Sequence, residues 1–207
     1  MKMMFSVMMM AFVLTVGPAF AAPTLQIDGT GQLIGATGVE VGGTLYDVKF
    51  MDGTCIALFN GCEETSDFLF QDQTTALLAS QALLATVFLD SALGNFDTEP
   101  NLIKGCTSSK VCRTITPWER PENDPDDNEV NLATAWNTQS LSIDGSGANS
   151  FWYVDTDLTN WAGYTWAVWQ SAQPVPEPTT MMLLSTGLVG LIGYQWRHRR
   201  LERQKVE

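Results

Sequence analysis

The chain has 207 residues, and the stretch from Ala22 to Pro176 holds 20 acidic side chains against five basic ones. The resulting net charge of −15 repels phosphate backbones, so the sequence disfavours nucleic acid as a partner. This stretch is long enough for one domain with a buried core and too short for two.

Residues 1–21 have the three parts of a cleavable secretory signal peptide. Lys2 supplies the basic start, residues 5–16 form an apolar run, and small residues lead up to Ala21. The apolar run is shorter than the ~20 residues that a membrane span needs. Cleavage after Ala21 predicts an exported domain over residues 22–173.

Strands and tight turns fill the first part of this domain. One or two short strands are expected within residues 24–41, and side-chain alternation predicts a strand over Thr44–Met51. Asp52-Gly53 has the composition of a two-residue hairpin turn, which predicts a returning strand over Thr54–Phe59. A second turn is expected at Asn60-Gly61.

One main helix is predicted over Thr74–Leu93, with Thr74 or Thr75 at its N-cap and Gly94 after its end. Five apolar side chains fall within an arc of about 140° of the helix, which indicates a buried stripe. Ala79 is expected on the opposite side. The stripe comprises Leu77, Leu83, Leu84, Val87 and Phe88.

The prolines and the acidic run in residues 95–129 predict an irregular, exposed loop. Alternating apolar residues then predict a strand over Val130–Trp136, followed by a turn at residues 144–147. The last two strands are expected over Phe151–Val154 and Tyr164–Trp169. These elements predict an α+β fold: an antiparallel sheet of six or seven strands with one main helix.

All four cysteines lie in the domain that we expect to be exported, which indicates two disulfides. Their number alone leaves three pairings open. The Asn60-Gly61 turn and the short gap between the last two cysteines favour local bridges, Cys55–Cys62 and Cys106–Cys112. Both gaps are wider than those of zinc knuckles, so no metal site is expected there.

The exported domain contains no histidine, because the one histidine of the chain, His198, lies in the C-terminal tail. This removes Ser-His-Asp triads, Cys-His pairs and the usual histidine-based metal sites. A carboxylate pair of the kind used in glycoside hydrolysis is a catalytic arrangement that remains open, but with 20 carboxylates some pair always looks suitable. The favoured prediction is therefore a non-enzymatic domain with no catalytic residues, no metal and no cofactor.

Two features leave ligand binding open as an alternative. One is a set of candidate calcium ligands: Asp124, Asp126, Asn128, Asp155 and Asp157. The first three have the alternate spacing of a calcium loop, but Glu129 stands where an EF-hand needs glycine. A solvated acidic loop is the favoured interpretation.

The other feature is an aromatic cluster near the end of the domain, since flat rings can stack on the faces of sugars. Its members are Phe151, Trp152, Tyr153, Trp161, Tyr164, Trp166 and Trp169. Strand alternation puts Tyr164 and Trp166 on one face and Trp169 on the other, so at least one face is expected to be core. Exposed, coplanar tryptophans would favour binding, and buried ones core packing.

Residues 174–200 combine three features in order. A Val175-Pro176-Glu177-Pro178 segment that cannot continue a helix is followed by an uncharged stretch, residues 179–196, long enough for a membrane helix. A basic cluster, Arg197, Arg199 and Arg200, comes next. The positive-inside rule places this cluster in the cytoplasm together with residues 201–207.

This three-part tail resembles the PEP-CTERM sorting signal of Gram-negative bacteria. The resemblance implies that an exosortase, a membrane-embedded cysteine protease, acts near the Pro-Glu-Pro motif and sorts the protein to the cell surface or extracellular matrix. It also implies exopolysaccharide as a partner. The Gly43–Phe50 segment is similar to strands of other PEP-CTERM ectodomains, which implies no activity.

The sequence thus predicts an exported, non-catalytic protein whose domain lies in the periplasm, anchored to the inner membrane until sorting. The alternative is a calcium- or polysaccharide-binding surface module.

Overall fold

The computed structural model describes residues 22–121, 128–140 and 143–172. The predicted signal peptide over residues 1–21 and the predicted membrane helix over residues 179–196 lie outside this part of the chain. Within it, no helix is long and apolar enough to cross a bilayer.

Seven of the strands in the described residues form one sheet. The strands are β1 Thr24–Ile27, β2 Leu33–Val41, β3 Thr44–Met51, β4 Asp90–Ser91, β5 Gly94–Asn95, β6 Val111–Glu119, β7 Glu129–Thr138, β8 Gly145–Tyr153 and β9 Tyr164–Ser171. The sheet has the order β1-β2-β3-β9-β6-β7-β8, and β4 pairs with β5 as a small hairpin. Neighbours are antiparallel except β6 and β9, so the predicted antiparallel sheet is confirmed apart from one parallel pairing.

The last strand of the domain lies in the middle of this sheet. β9 pairs with β3 from Tyr46 opposite Ser171 to Met51 opposite Trp166. On its other side β9 runs parallel to β6 over three residue pairs, the last being Ile115 with Trp166. Among the described strands, β9 is therefore the link between β1-β2-β3 and β6-β7-β8.

One main helix packs on the sheet, as the sequence predicts, but it is shorter. It consists of α2, Gln73–Ala82, and a π-helical turn over Leu83–Val87 that continues it. It ends before Leu93 because the chain turns into the β4–β5 hairpin, and Gly94 belongs to β5 instead of capping the helix.

The N-cap of α2 is Asp72, so the prediction of Thr74 or Thr75 at this position is wrong. The Asp72 carboxylate accepts hydrogen bonds from the Thr75 backbone N–H at 2.9 Å and from the Thr75 hydroxyl at 2.6 Å. These bonds satisfy a free donor of the first turn and lower the pKa of Asp72. Thr75 therefore donates hydrogen bonds to the N-cap side chain and is not the N-cap itself.

The buried side of the helix differs from the predicted stripe. Leu83, Val87 and Phe88 are buried, but Ala79, expected on the outer side, is fully buried as well. Ala79 lies one helical turn before Leu83, and Ala76 lies one turn before Ala79, so small residues occupy the buried side of the first part of the helix. The hydrophobic pattern counts only large side chains and therefore places the stripe too far around the helix. The two remaining stripe residues, Leu77 and Leu84, pack against the core while partly exposed.

The predicted strand over Thr54–Phe59 is wrong. Cys55–Leu58 forms a short helix, α1, and the Thr54 hydroxyl caps it by accepting a hydrogen bond from the Ala57 backbone N–H at 3.2 Å. The turn predicted at Asn60-Gly61 is confirmed, with positive φ angles of 47° and 99°.

The predicted irregular loop over residues 95–129 contains β6, a nine-residue strand that includes Pro117. The Gln139 N–H bonds to the Lys110 carbonyl at 3.0 Å, so by the alternation of an antiparallel ladder the backbone of Pro117 points away from β7. The backbone of Pro117 points to the side of β6 that faces β9, where pairing with β9 has already ended at Ile115. The missing N–H of proline thus leaves no broken ladder bond.

Strand β8 begins at Gly145, so the turn predicted at residues 144–147 is wrong and the predicted strand over Phe151–Val154 is too short. The glycines serve a neighbouring side chain: a Cβ placed on Gly147 would come within 2.8 Å of the Trp136 ring. Small residues there make room for an indole on β7 and do not turn the chain.

Two cores lie on opposite sides of the sheet, as alternation along β9 shows. Trp169 belongs to the core under α2, whereas Trp166 belongs to a second core that α1 helps to cover. The Trp166 indole N–H donates to the Gly53 carbonyl at 2.9 Å, and its ring packs edge-on against Phe59 at 5.6 Å between centroids. This hydrogen bond attaches the segment that leads into α1, which helps to cover the second core, to the central strand β9.

Replacement of Gly105 by alanine should destabilise the domain. Gly105 has a φ of +91°, and an added Cβ would meet Asp52 Oδ1 and lie 2.5 Å from Thr165 Oγ1. We expect Gly105→Ala to lower the free energy of unfolding by about 2 kcal/mol or more, from backbone strain and overpacking. Chemical denaturation of the oxidised full-length protein in detergent measures this loss.

Gly29→Ala is the matched control, because a Cβ there meets nothing within 4 Å. It should change the free energy of unfolding by less than about 0.5 kcal/mol. Equal stability of the two variants would contradict the described packing around Gly105.

Candidate functional site

The residues predicted to sort the protein lie outside the described part of the chain. These are the sorting motif, Val175, Pro176, Glu177 and Pro178, and the membrane stop, Arg197, Arg199 and Arg200. The disulfide cysteines, the aromatic cluster and part of the acidic residues are described.

Both predicted disulfides are confirmed. Cys55 and Cys62 are joined with a Cα–Cα distance of 5.7 Å, and Cys106 and Cys112 with one of 5.6 Å. All four side chains are buried, the first pair in the core around Trp166 and the second pair in the core under α2. The bridges therefore support the packing, and within the described residues no cysteine is free.

The predicted aromatic cluster divides into buried and exposed members. Trp166 and Trp169 are core residues, whereas Trp152, Trp161 and Tyr164 contact one another at the surface. The ring centroids of Trp152 and Tyr164 are 5.0 Å apart although β7 and β6 separate their strands. The sheet must therefore coil strongly, which brings β8 over β9.

Trp161 is the most exposed member of this surface group, at 46%. Its ring stands at 77° to that of Trp152 and at 89° to that of Tyr164. The three rings are thus not coplanar, and the group offers one open indole supported edge-on by two others.

The backbone holds Trp161 firmly in this position. Its N–H donates to the Leu158 carbonyl at 2.8 Å, and its own carbonyl accepts from the Tyr164 N–H at 3.1 Å. The next carbonyl, that of Ala162, accepts from the N–H groups of Thr107 and Ser108, both at 2.7 Å. The second disulfide loop, residues 106–112, is thereby fixed beside the exposed indole.

A cation borders the aromatic group in a domain that has few. The Arg113 guanidinium lies 5.2 Å from the centroid of the Tyr164 ring and donates to its hydroxyl at 3.2 Å. Lys110 is exposed in the adjacent disulfide loop. Nothing in the spacing of Arg113 predicts this contact, but its being one of five basic residues of the domain is a signal that the sequence contains.

The candidate calcium ligands are not brought together in the described residues. Asp124 and Asp126 lie outside them, and Asp157 caps the 3-10 helix Leu158–Asn160 by accepting from the Thr159 N–H at 3.0 Å. The hydrogen bonds from Thr159 hold the pKa of Asp157 below its usual range. In the part of the chain that the structure describes, no three potential metal ligands form a group.

Asp97 is a titratable group that the sequence analysis does not single out. Burial, together with a hydrogen bond and charge repulsion from Asp144 and the charge of Asp90, raises its pKa to about 6. Asp90 in turn accepts from the backbone N–H groups of Asp97 and Thr98 at 3.0 and 3.1 Å. The Asp90 carboxylate thus ties the segment that follows β5 back to the start of β4.

A groove of about 210 Å³ lies beside the point where β6 and β9 separate. Its polar lining consists of Asn60, Asp67, Thr116 and Gln170. The Asn60 amide donates to Asp67 and is the first cause of that carboxyl's lowered pKa, so Asp67 is a poor general base near neutrality.

Comparison with known proteins gives one finding for the tail and none for the domain. No curated protein and no solved structure matches the chain. The PEP-CTERM protein-sorting motif matches residues 174–200, in agreement with the features that the sequence analysis identifies there. The chain therefore carries a PEP-CTERM sorting motif at its C-terminal end.

Proposed function

We propose that this chain is an exported, non-catalytic protein, held in the inner membrane by its C-terminal helix and sorted by an exosortase to the cell surface or extracellular matrix. The match of the PEP-CTERM motif to residues 174–200 is the observation that carries the proposal. Before sorting, the domain lies in the periplasm.

The two disulfides support export. Bridges persist in oxidising compartments and are rare in the bacterial cytosol. Both join cysteines that are close in sequence, at separations of seven and six residues, so each closes within one loop. The predicted signal peptide over residues 1–21 supplies the route out of the cytoplasm.

The chemistry of the described residues favours a non-catalytic role. The domain has no histidine, and the groove beside β6 lacks a group with a pKa near neutrality. Asp97, whose pKa is raised to about 6, lies beside two carboxylates that already accept backbone hydrogen bonds, Asp90 from Asp97 and Thr98 and Asp144 from Thr138. A structural or adhesive role in the envelope needs none of these groups.

Replacement of Pro176, Glu177 and Pro178 by alanine tests the proposal. Both prolines prevent the helix from extending outward, and an extended segment at the membrane surface is the form that a protease binds. In a host with the matching exosortase, the variant should stay full-length in the inner membrane while the wild type loses its tail. Immunoblotting of membrane and released fractions measures both forms.

The matched control replaces Glu202, Arg203 and Gln204 by alanine, three residues of the same tail outside the matched segment. It should be processed like the wild type. If the Pro176-Glu177-Pro178 variant were shortened to the same extent as this control, the assignment of the motif would be refuted.

A second candidate function is binding of a neutral polysaccharide, and the exposed Trp161 is the observation that favours it. A rigidly held, 46% exposed indole is an unusual surface feature that can stack on a sugar ring. The net charge of −15 repels polyanions, so an uncharged sugar chain suits this surface better than an acidic one.

Trp161→Ala should weaken retention on a neutral β-glucan at least about tenfold, because one stacking contact and its alignment are lost. Affinity electrophoresis through gels that contain this β-glucan measures the retention. Leu93→Ala is the control, since Leu93 is 61% exposed and distant in sequence from the cluster. No retention of the wild type, or equal retention of the two variants, would exclude this candidate.

A further inference from the structure

Strand β8 forms one edge of the sheet and lacks two of the usual protections of an edge, although the Gln73 side chain of α2 donates to the Ala148 carbonyl at 2.8 Å and a bulge interrupts the strand. Among the described strands it pairs only with β7. Its nine residues include no charged side chain and no proline. Edge strands normally carry such residues, because open backbone groups invite pairing with another chain.

The backbone of Phe151 and Tyr153 points out of the sheet. The Val154 N–H donates to the Asn128 carbonyl at 2.9 Å, so Asn128 and Val154 form a hydrogen-bonded pair of the β7–β8 ladder. The backbone of Val154 therefore points toward β7. Hydrogen-bonded and non-hydrogen-bonded pairs alternate along an antiparallel ladder. The backbone of Trp152 therefore also bonds to β7, whereas the backbone groups of Phe151 and Tyr153 point to the open edge. In the described residues the Phe151 N–H and C=O have no partner, and the Tyr153 C=O accepts from the Thr156 N–H at 3.1 Å.

The side chains of the same two residues are exposed. Phe151 is 54% and Tyr153 53% exposed, and both lie on one face because they are two residues apart. A bulge between Gly147 and Ser150 interrupts the ladder, so the regular part of the open edge is Ser150–Tyr153. Open backbone groups and exposed rings thus coincide in one short segment.

We infer that this edge pairs with the same edge of a second copy of the chain, antiparallel, about a two-fold axis at Trp152. In that register Phe151 of one copy lies opposite Tyr153 of the other, twice. Both residues have outward backbone groups, so each pair is a hydrogen-bonded pair of the new ladder. Each pair also brings two aromatic rings together on one face, a favourable cross-strand contact.

The absence of charge on β8 makes this edge a place where a second copy of an acidic domain can approach. The domain has 20 acidic and five basic side chains, so two copies repel wherever their acidic surfaces meet. β8 is an uncharged segment of this surface, and like charges do not oppose each other there. A basic partner would be drawn to the acidic surface and not to this strand.

Sedimentation of the full-length protein in density-matched detergent, over a range of concentrations, tests the inference. The wild type should associate reversibly to a dimer. The double variant Phe151→Lys/Tyr153→Lys should associate at least about tenfold more weakly, because each new pair sets lysine against lysine. The control Leu93→Lys/Ile143→Lys also replaces two exposed apolar side chains, 61% and 68% exposed, and adds the same charge. It should dimerise like the wild type.

Hydrogen exchange of the wild type gives a second readout that needs no variant. The Phe151 amide should exchange rapidly in the dilute monomer and become protected as the dimer forms, whereas that of Trp152 should be protected in both. A wild type that stays monomeric throughout, a dimer in which the Phe151 amide is unprotected, or equal weakening by the two double variants would each overturn the inference.

Discussion

Insertion of β9 between β3 and β6 is the constraint on which the rest of the structure depends. Tyr164–Ser171 is the last strand in sequence, yet it joins the two three-stranded halves of the sheet. Its side chains anchor both cores, since the Trp166 indole bonds to the Gly53 carbonyl and the Trp169 indole bonds to the Thr116 hydroxyl at 3.1 Å. The domain can close only after this final strand is available.

The position of β9 in the sequence connects the fold to the proposed sorting. The strand ends at Ser171, and the matched sorting motif begins at residue 174. Cleavage near Pro176 would therefore remove no strand, no cysteine and no core residue of the described domain. The described domain and the matched motif thus occupy separate stretches of the chain, which suits the proposed removal of the tail.

Much of the fold and part of the site are predictable from local patterns. Alternation identifies β3 and β9, and turn chemistry at Asn60-Gly61 supports the first disulfide. Local patterns fail where a residue distant in sequence determines the local structure. Gly147 lies in a strand because it makes room for the Trp136 ring, and Pro117 can lie in a strand because no neighbouring strand needs its N–H. The aromatic group around Trp161 depends on coiling of the sheet, which no local pattern contains.

Two truncations compared by thermal unfolding test most directly whether β9 completes an independent domain. A chain ending at Gln173 keeps β9, and one ending at Gly163 lacks it. The account predicts that the longer chain unfolds cooperatively within about 2 °C of the full-length protein, with both disulfides intact, because no packed element is lost. The shorter chain should show no cooperative transition. The account would be contradicted if the chain that ends at Gln173 showed no cooperative transition, or if the chain that ends at Gly163 showed one.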